Sequence, residues 1–229
     1  MTLIAVGGYA RRSRLAEIAR VRVGVTREGL ERGPVLREAS DIHATLVAQL
    51  KQHSGDGVVD TWESTSVRAY TYTEWRGKRE KRAERFRATS SVQADFVDFE
   101  ALSRWLPEIA DVDGVSIGGV DWALKRETRE QMQTEVRADA ARETRARAAA
   151  YADALGLDEP RCVGLFESGL RPGKDSGGSP NYPVPAPAAA APSFRGAAAG
   201  AAEPPPPPQF ELEPPELDVT ISITADYEA

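Results

Sequence analysis

Alternation of apolar and polar residues predicts most of the strands, and the segment from Leu217 to Tyr227 alternates without an error. A period of two places successive side chains on opposite faces of a sheet, so this segment is predicted to be a half-buried strand. The same criterion predicts strands at 2–10, 15–27, 58–75, 85–97, 115–125 and 161–167. A Gly-Gly pair at 118–119, where the apolar phase of its strand flips, indicates a β-bulge.

Two shorter segments repeat their apolar residues every three to four positions, as amphipathic helices do. The first extends from Pro34 to about His53, with Val35, Ala39, Ile42, Leu46 and Leu50 on its inner face. The second begins after Asp98, a residue type that caps helices well. It contains Pro107, which we expect to kink the helix or to split it in two.

The longest predicted helix, from Thr128 to Leu157, is rich in Ala and Arg. It opens with Thr-Arg-Glu-Gln, a capping-box sequence, and Gly156 suits a left-handed C-cap. Glu143 and Arg147 are spaced for an ion pair. Its inner stripe is mostly small, which would let it lie close to a sheet: Val136, Ala140, Thr144, Ala148, Tyr151 and Leu155.

Strands that follow one another directly, mixed with helices, indicate an α+β fold: a mixed or antiparallel sheet with helices packed on one face. Residues 1–170 are predicted to form this α+β domain, and residues 171–209, rich in Pro, Ala and Gly, a disordered linker. Residues 210–229 then return as a strand that completes the main sheet, in the same subunit or in a neighbouring one.

Composition and charge exclude or disfavour several classes of protein. The net charge of −6 argues against a general nucleic-acid binder, because phosphate contacts require concentrated positive charge. The single cysteine excludes an intramolecular disulfide, and no apolar run is long enough to span a membrane. The first residues do not resemble a signal peptide, so we expect a cytoplasmic protein.

The candidate chemical residues favour structural roles. His43 lies at the edge of a predicted helix face, and His53 at its end, where a donor helps the dipole. Ten positions apart on one helix, they point in different directions and cannot hold a metal together. Cys162, at the start of a strand, is expected to be a buried, inert thiol. We find neither a phosphate-binding glycine loop nor a nucleophile elbow in the sequence, and expect no cofactor and no metal.

One charged stretch, the basic segment 76–87, stands out. It contains seven basic and two acidic residues, a local charge of +5, and aromatic residues flank it. Basic residues beside aromatics can bind single-stranded nucleic acid. A solvated hairpin tip, or an electrostatic contact with an acidic neighbouring subunit, agrees better with the acidic chain. Its interaction candidates are Arg76, Lys78, Arg79, Lys81, Arg82, Arg85 and Arg87.

Three stretches, in this order along the chain, resemble the SIMPL-domain family, which includes a bacterial periplasmic immunogenic protein. They are Val-Gly-Gly-Tyr-Ala at 6–10, the Ala/Arg helix ending in Leu-Gly-Leu at 138–157, and the proline-led strand at 214–224. The resemblance implies an oligomerising protein related to the envelope or to stress. It supplies no catalytic residues.

These observations lead to one main hypothesis and one alternative. The main hypothesis is a non-enzymatic, self-assembling structural or interaction protein, a homo-oligomer whose other partners the sequence does not identify. The bulky groups on both faces of the predicted strand 58–75 support assembly, because a monomer would leave one face exposed as an apolar patch. The alternative is a nucleic-acid or anionic-surface binder that uses the basic segment, although nucleic acid is not the partner we expect.

Overall fold

The computed structural model describes residues 1–74, 83–171 and 212–229. These ranges contain eight strands and three helices. In chain order they are β1 (Leu3–Leu15), β2 (Ile18–Gly29), α1 (Arg32–Gly55), β3 (Val59–Ser64), β4 (Arg68–Glu74), β5 (Ala83–Phe96), α2 (Phe99–Ala110), β6 (Val115–Ala123), α3 (Arg126–Ala154), β7 (Arg161–Glu167) and β8 (Glu216–Glu228).

The described strands form two sheets. The larger has the order β3-β5-β2-β6, with β4 also paired to β5, and its pairings are antiparallel. The smaller has the order β1-β8-β7. The α+β class predicted from the sequence is confirmed, with two sheets in place of a single one. Most of the predicted linker lies outside the described residues.

The described residues divide into two compact units. One contains Met1–Arg12, 130–171 and Val219–Ala229. The other contains the described part of Ser13–Arg129 and 212–218. The division falls within β1, α3 and β8, so these three elements contribute residues to both units.

In the larger unit, α1 and α2 cover one face of the five-stranded sheet. Their buried residues share one core with the inward-facing residues of β2 and β5, as the apolar spacing predicted. Asp98 caps α2 by accepting a hydrogen bond from the Ala101 amide (2.9 Å). Pro107 lies in the last turn of α2, where it removes one backbone bond, and the helix continues to Ala110 without a split.

In the smaller unit, α3 packs on the three-stranded sheet through small residues. Ala148 and Ala152 share a core with residues of β1 and β8. A Cβ at Gly8 would lie 2.4 Å from the Ala140 carbonyl oxygen, so only glycine fits there. The close approach expected from the small-residue stripe is therefore confirmed.

The predicted strand 58–75 is wrong as a single strand, because β3 and β4 pair with β5 in different registers. Ser64 lies opposite Val92, whereas Arg68 lies opposite Thr89. Between them the Ser91 amide donates to the Thr65 hydroxyl (2.8 Å) instead of a backbone carbonyl. This side-chain bond interrupts the ladder and separates the two strands.

The predicted start of the long helix is also wrong. α3 begins at Arg126, and Thr128 donates its hydroxyl to the Glu17 carboxylate (3.0 Å) instead of capping the helix. Glu17 also accepts the Lys125 amide (2.9 Å), so a residue distant in sequence satisfies this backbone donor.

Near its other end, the stripe of α3 continues to the buried Ala152. Tyr151 and Leu155, predicted to lie on it, are exposed, because the spacing of four residues that joins 136, 140, 144 and 148 leads to 152. Gly156 has φ +64°, as its predicted role after the helix requires. The Glu143–Arg147 pair is present.

The last strand is confirmed at Glu216–Glu228, but its predicted place is wrong. β8 lies between β1 and β7 and does not complete the five-stranded sheet. Its inward residues Ile223, Ala225 and Tyr227 are buried. Tyr227 and Thr144 of α3 share a buried hydrogen bond (2.9 Å) that holds this end of the strand against the helix.

The sequence also predicted the turn between β1 and β2 and the bulge within β6. The predicted break after residue 10 falls later, since β1 reaches Leu15 and β2 starts at Ile18. The predicted bulge at 118–119 is confirmed: Val21 faces Val120 but Val23 faces Ile117, which leaves both glycines opposite one residue of β2.

Candidate interaction surface

The face of the five-stranded sheet opposite α1 and α2 carries paired polar side chains. Arg20 makes a two-pronged contact with Asp95, each N–O distance being 2.7 Å. Beside it, Arg22 donates to the side-chain oxygen of Gln93 (2.7 Å). A guanidinium and a carboxylate that share two hydrogen bonds fix each other's orientation. The charged side chains in this part of the face therefore have defined orientations.

Three residues from three strands form the Glu28 cluster: Glu28, Tyr72 and Arg87. The Arg87 Nε donates to Glu28 Oε1 (2.6 Å), and the Tyr72 hydroxyl donates to Oε2 (2.5 Å). The Arg87 guanidinium also lies over the Tyr72 ring, 4.7 Å from its centroid, at the distance of a cation–π contact. One carboxylate thus joins β2, β4 and β5.

These bonds shift the acid–base behaviour of the cluster. The hydrogen bond from Tyr72 and the contact with Arg87 lower the pKa of Glu28 below its ordinary value. The same hydrogen bond to the Glu28 carboxylate raises the pKa of Tyr72. Both shifts favour a charged carboxylate beside a neutral phenol.

The cluster changes the interpretation of the basic segment. Five of its seven candidates, Arg76, Lys78, Arg79, Lys81 and Arg82, lie outside the described residues. Arg85 and Arg87 lie in β5, opposite Tyr72 and Tyr70 of β4. Arg87 is already bound to Glu28, so its charge is largely compensated. The sequence did not identify Glu28, because it is 59 positions from Arg87 and only the register of β2 on β5 brings them together.

The edge of β4 is the second feature of this surface. Along a strand between two others, hydrogen bonds alternate from one side to the other. Thr26 of β2 receives its bond from the β6 side, since its amide donates to the Gly114 carbonyl (2.7 Å). Its neighbour Val25 therefore bonds to β5, opposite Ser90. Even-numbered residues of β5 thus bond to β2, and odd-numbered residues bond to the opposite side.

The register of β4 then gives the direction of each backbone group. Arg87 faces Tyr70, so the even-numbered residues of β4 bond to β5. The amides and carbonyls of Ala69, Thr71 and Thr73 consequently point away from the sheet. Within the described ranges, β5 is the only strand that pairs with β4. We call this row of outward backbone groups the β4 edge.

The other described edges carry features that hinder pairing with another strand. Along β1, Glu143 accepts the Tyr9 amide (2.6 Å) and Arg147 donates to the Gly7 carbonyl (2.9 Å). The register of β3, β6 and β7 is interrupted near Asp60, Gly118–Gly119 and Val163 respectively. Covered groups and bulges are common ways to block edge-to-edge pairing. The register of β4 on β5 runs without a break from Arg68 to Glu74.

The remaining candidates, His43, His53 and Cys162, take no part in the contacts described above. His53 packs by its ring near Phe96 and Trp105, with centroids 6.0 and 6.1 Å away. His43 is half-buried on α1, and its Nδ1 has no hydrogen-bond partner among the described residues; burial lowers its pKa. Cys162 is exposed, which contradicts the expectation of a buried thiol, because it lies on an edge strand.

Two features are absent from the residues that the structure describes. Within them, no three His, Cys, Asp or Glu side chains are grouped so that they could hold a metal ion. None of the helices in the same ranges is both long and apolar enough to cross a membrane.

Comparison with known proteins gives one family match. The family model SIMPL, described as a protein of unknown function (DUF541), matches residues 4–227. The match covers β2 to β7 completely and nearly all of β1 and β8. No curated protein matches the chain.

Proposed function

Because the chain belongs to the SIMPL family, we propose that it is a non-enzymatic protein that assembles with copies of itself. In this proposal it acts as a structural or interaction component, and the β4 edge supplies the contact. The link to the envelope or to stress, which the family resemblance implies, belongs to the same proposal. Affinity capture from the native cell, followed by sizing of the recovered complex, tests that link.

The β4 edge is the observation that carries the proposal. Its outward amides and carbonyls form a template for another strand, and exposed edges of this kind are where β-sheet proteins associate. Tyr70, beside this edge, is 46 % exposed and offers an aromatic surface, a type enriched at interfaces.

Multi-angle light scattering on the gel-filtered protein tests self-assembly. We expect the mass of two or more chains, each chain having a mass of 24.8 kDa. A mass of one chain throughout the micromolar range would contradict the proposal. Repeating the measurement at high salt distinguishes two kinds of contact. Contacts made by the backbone and by apolar groups persist, whereas contacts between exposed charges weaken.

The alternative, a binder of nucleic acid or anionic surfaces, has less support because Glu28 compensates the charge of Arg87. It is tested by binding of a single-stranded oligonucleotide at increasing salt, with the Arg79→Glu, Lys81→Glu and Arg82→Glu triple variant as comparison. Strong, salt-dependent binding that the triple variant loses would favour the alternative.

A further inference from the structure

We infer that the β4 edge pairs with the β4 edge of a second copy of this chain, antiparallel and with the two-fold axis at Thr71. The inference rests on the proposed self-assembly and specifies which contact makes it. It follows from the direction of the backbone groups in β4 and from the order of its side chains.

The backbone geometry fits this pairing. An antiparallel ladder alternates pairs of residues that exchange two hydrogen bonds with pairs that exchange none. With the axis at Thr71, Thr71 faces its own copy, and Ala69 faces Thr73 of the second chain. These are the residues whose amides and carbonyls point away from β5. Three such pairs make about six hydrogen bonds, and no outward group between 69 and 73 is left unpaired.

The side chains are complementary in the same register. Tyr70 faces Tyr72 of the second copy in a pair without hydrogen bonds, where side chains approach most closely. Residue 68, an arginine, comes opposite residue 74, a glutamate, and the two-fold axis makes this opposition occur twice. Aromatic and opposite-charge pairs across strands stabilise a ladder.

This self-complementarity favours a second copy over an unrelated extended peptide. Any peptide can satisfy the outward backbone groups. An arginine, two tyrosines and a glutamate placed symmetrically about Thr71 match themselves when the strand is reversed. A two-fold contact of this kind requires such a match, because the same surface serves both partners.

Cysteine cross-linking tests the register. The variants are made in a Cys162→Ser background, which removes the exposed natural thiol. Thr71→Cys then places two thiols at the two-fold axis. The Cα atoms of the two residues would lie about 5.5 Å apart, within disulfide range. Thr73→Cys is the matched control: both side chains are exposed and on the same face. The Cα atoms of the two copies of residue 73 would lie about 14 Å apart, beyond disulfide range.

We expect oxidised glutathione to link most of the Thr71→Cys protein into covalent dimers and little of the Thr73→Cys protein. Equal linking of both variants, or linking of the control alone, would overturn the inference, as would an oligomeric wild type in which neither variant links. Self-assembly would stand in these cases. A wild-type protein that is monomeric by light scattering would overturn both proposals.

A second variant tests the backbone bonds. Thr71→Pro removes an amide that points away from β5, and proline is tolerated at such edge positions. We expect it to keep its thermal transition but to lose the subunit contact, so that the assembly dissociates at least to half its mass. A folded variant with an unchanged mass would contradict the inference. If the variant does not fold, the cross-linking result decides.

Discussion

Glu28 is the central residue of the Glu28 cluster on the polar face of the five-stranded sheet. Its carboxylate accepts hydrogen bonds from Tyr72 of β4 and Arg87 of β5, and so it joins residues that sequence distance separates. Because all three groups are close to solvent, the cluster specifies geometry and acid–base behaviour more than stability.

The first prediction concerns the ionisation of Tyr72. The Glu28 carboxylate accepts the phenol's hydrogen bond and raises its pKa. Replacing Glu28 with Gln removes the negative charge, so we expect the pKa of Tyr72 to fall toward the usual value of about 10. A spectroscopic titration of tyrosinate measures this, and the Tyr72→Phe variant identifies the Tyr72 signal. An unchanged titration of Tyr72 in Glu28→Gln would show that the contact is absent in solution.

The second prediction is the pH dependence of stability that these shifts imply. Glu28 has a lowered folded pKa, so its contribution is present above its unfolded pKa and disappears as pH falls through the folded value. Tyr72 has a raised folded pKa, so its contribution is present below its unfolded pKa and disappears as pH rises through the folded value. The Tm difference between wild type and Glu28→Gln should therefore be greatest between about pH 5 and about pH 9. A difference that does not vary with pH would contradict this.

Among the elements, α3 and β1 depend on small residues for their contact. Gly8 has no room for a side chain, because an added Cβ would lie 2.4 Å from the Ala140 carbonyl and 2.6 Å from the Thr144 methyl group. The helix backbone is the closer obstacle, and it cannot move aside as a flexible side chain can.

The third prediction is that Gly8→Ala lowers the free energy of unfolding by about 1–3 kcal/mol, the usual cost of overpacking. Gly55→Ala is the control, since a Cβ there meets nothing within 4 Å and its φ lies outside the left-handed region. Chemical denaturation of both variants measures the difference. Equal stability would mean that α3 and β1 are less closely packed than these distances indicate.

At the scale of the whole molecule, residues from distant parts of the chain complete the smaller unit. β8 supplies its central strand, between β1 and β7, although residues 172–211 lie between the described ranges 83–171 and 212–229. A central strand bonds on both sides, so β8 is expected to be the most protected strand of that sheet.

The fourth prediction is that amide hydrogen exchange is slow throughout Ile223–Tyr227, the part of β8 that pairs with β7 as well as with β1. The amides of β7 that face away from β8 should exchange faster, because no described strand covers them. Exchange of Ile223–Tyr227 as fast as that of these edge amides would contradict the assigned strand order.

The local pattern of apolar and polar residues was sufficient to predict many elements of the fold. The alternation of β8, the inner faces of α1 and α2 and the bulge at 118–119 were all predicted, because burying one face imposes a period that the residue order records. The family was also recognised from short stretches and their order, and the match to residues 4–227 confirms it.

Only the tertiary structure decided how these elements pair. Residue order does not say which strand lies beside which, so it did not reveal that β8 belongs to a second sheet or that Thr65 interrupts the ladder between β3 and β4. The Glu28 cluster and the outward direction of the Thr71 backbone both follow from strand register, a long-range property. Composition and periodicity act over a few residues, whereas register depends on contacts between residues tens of positions apart.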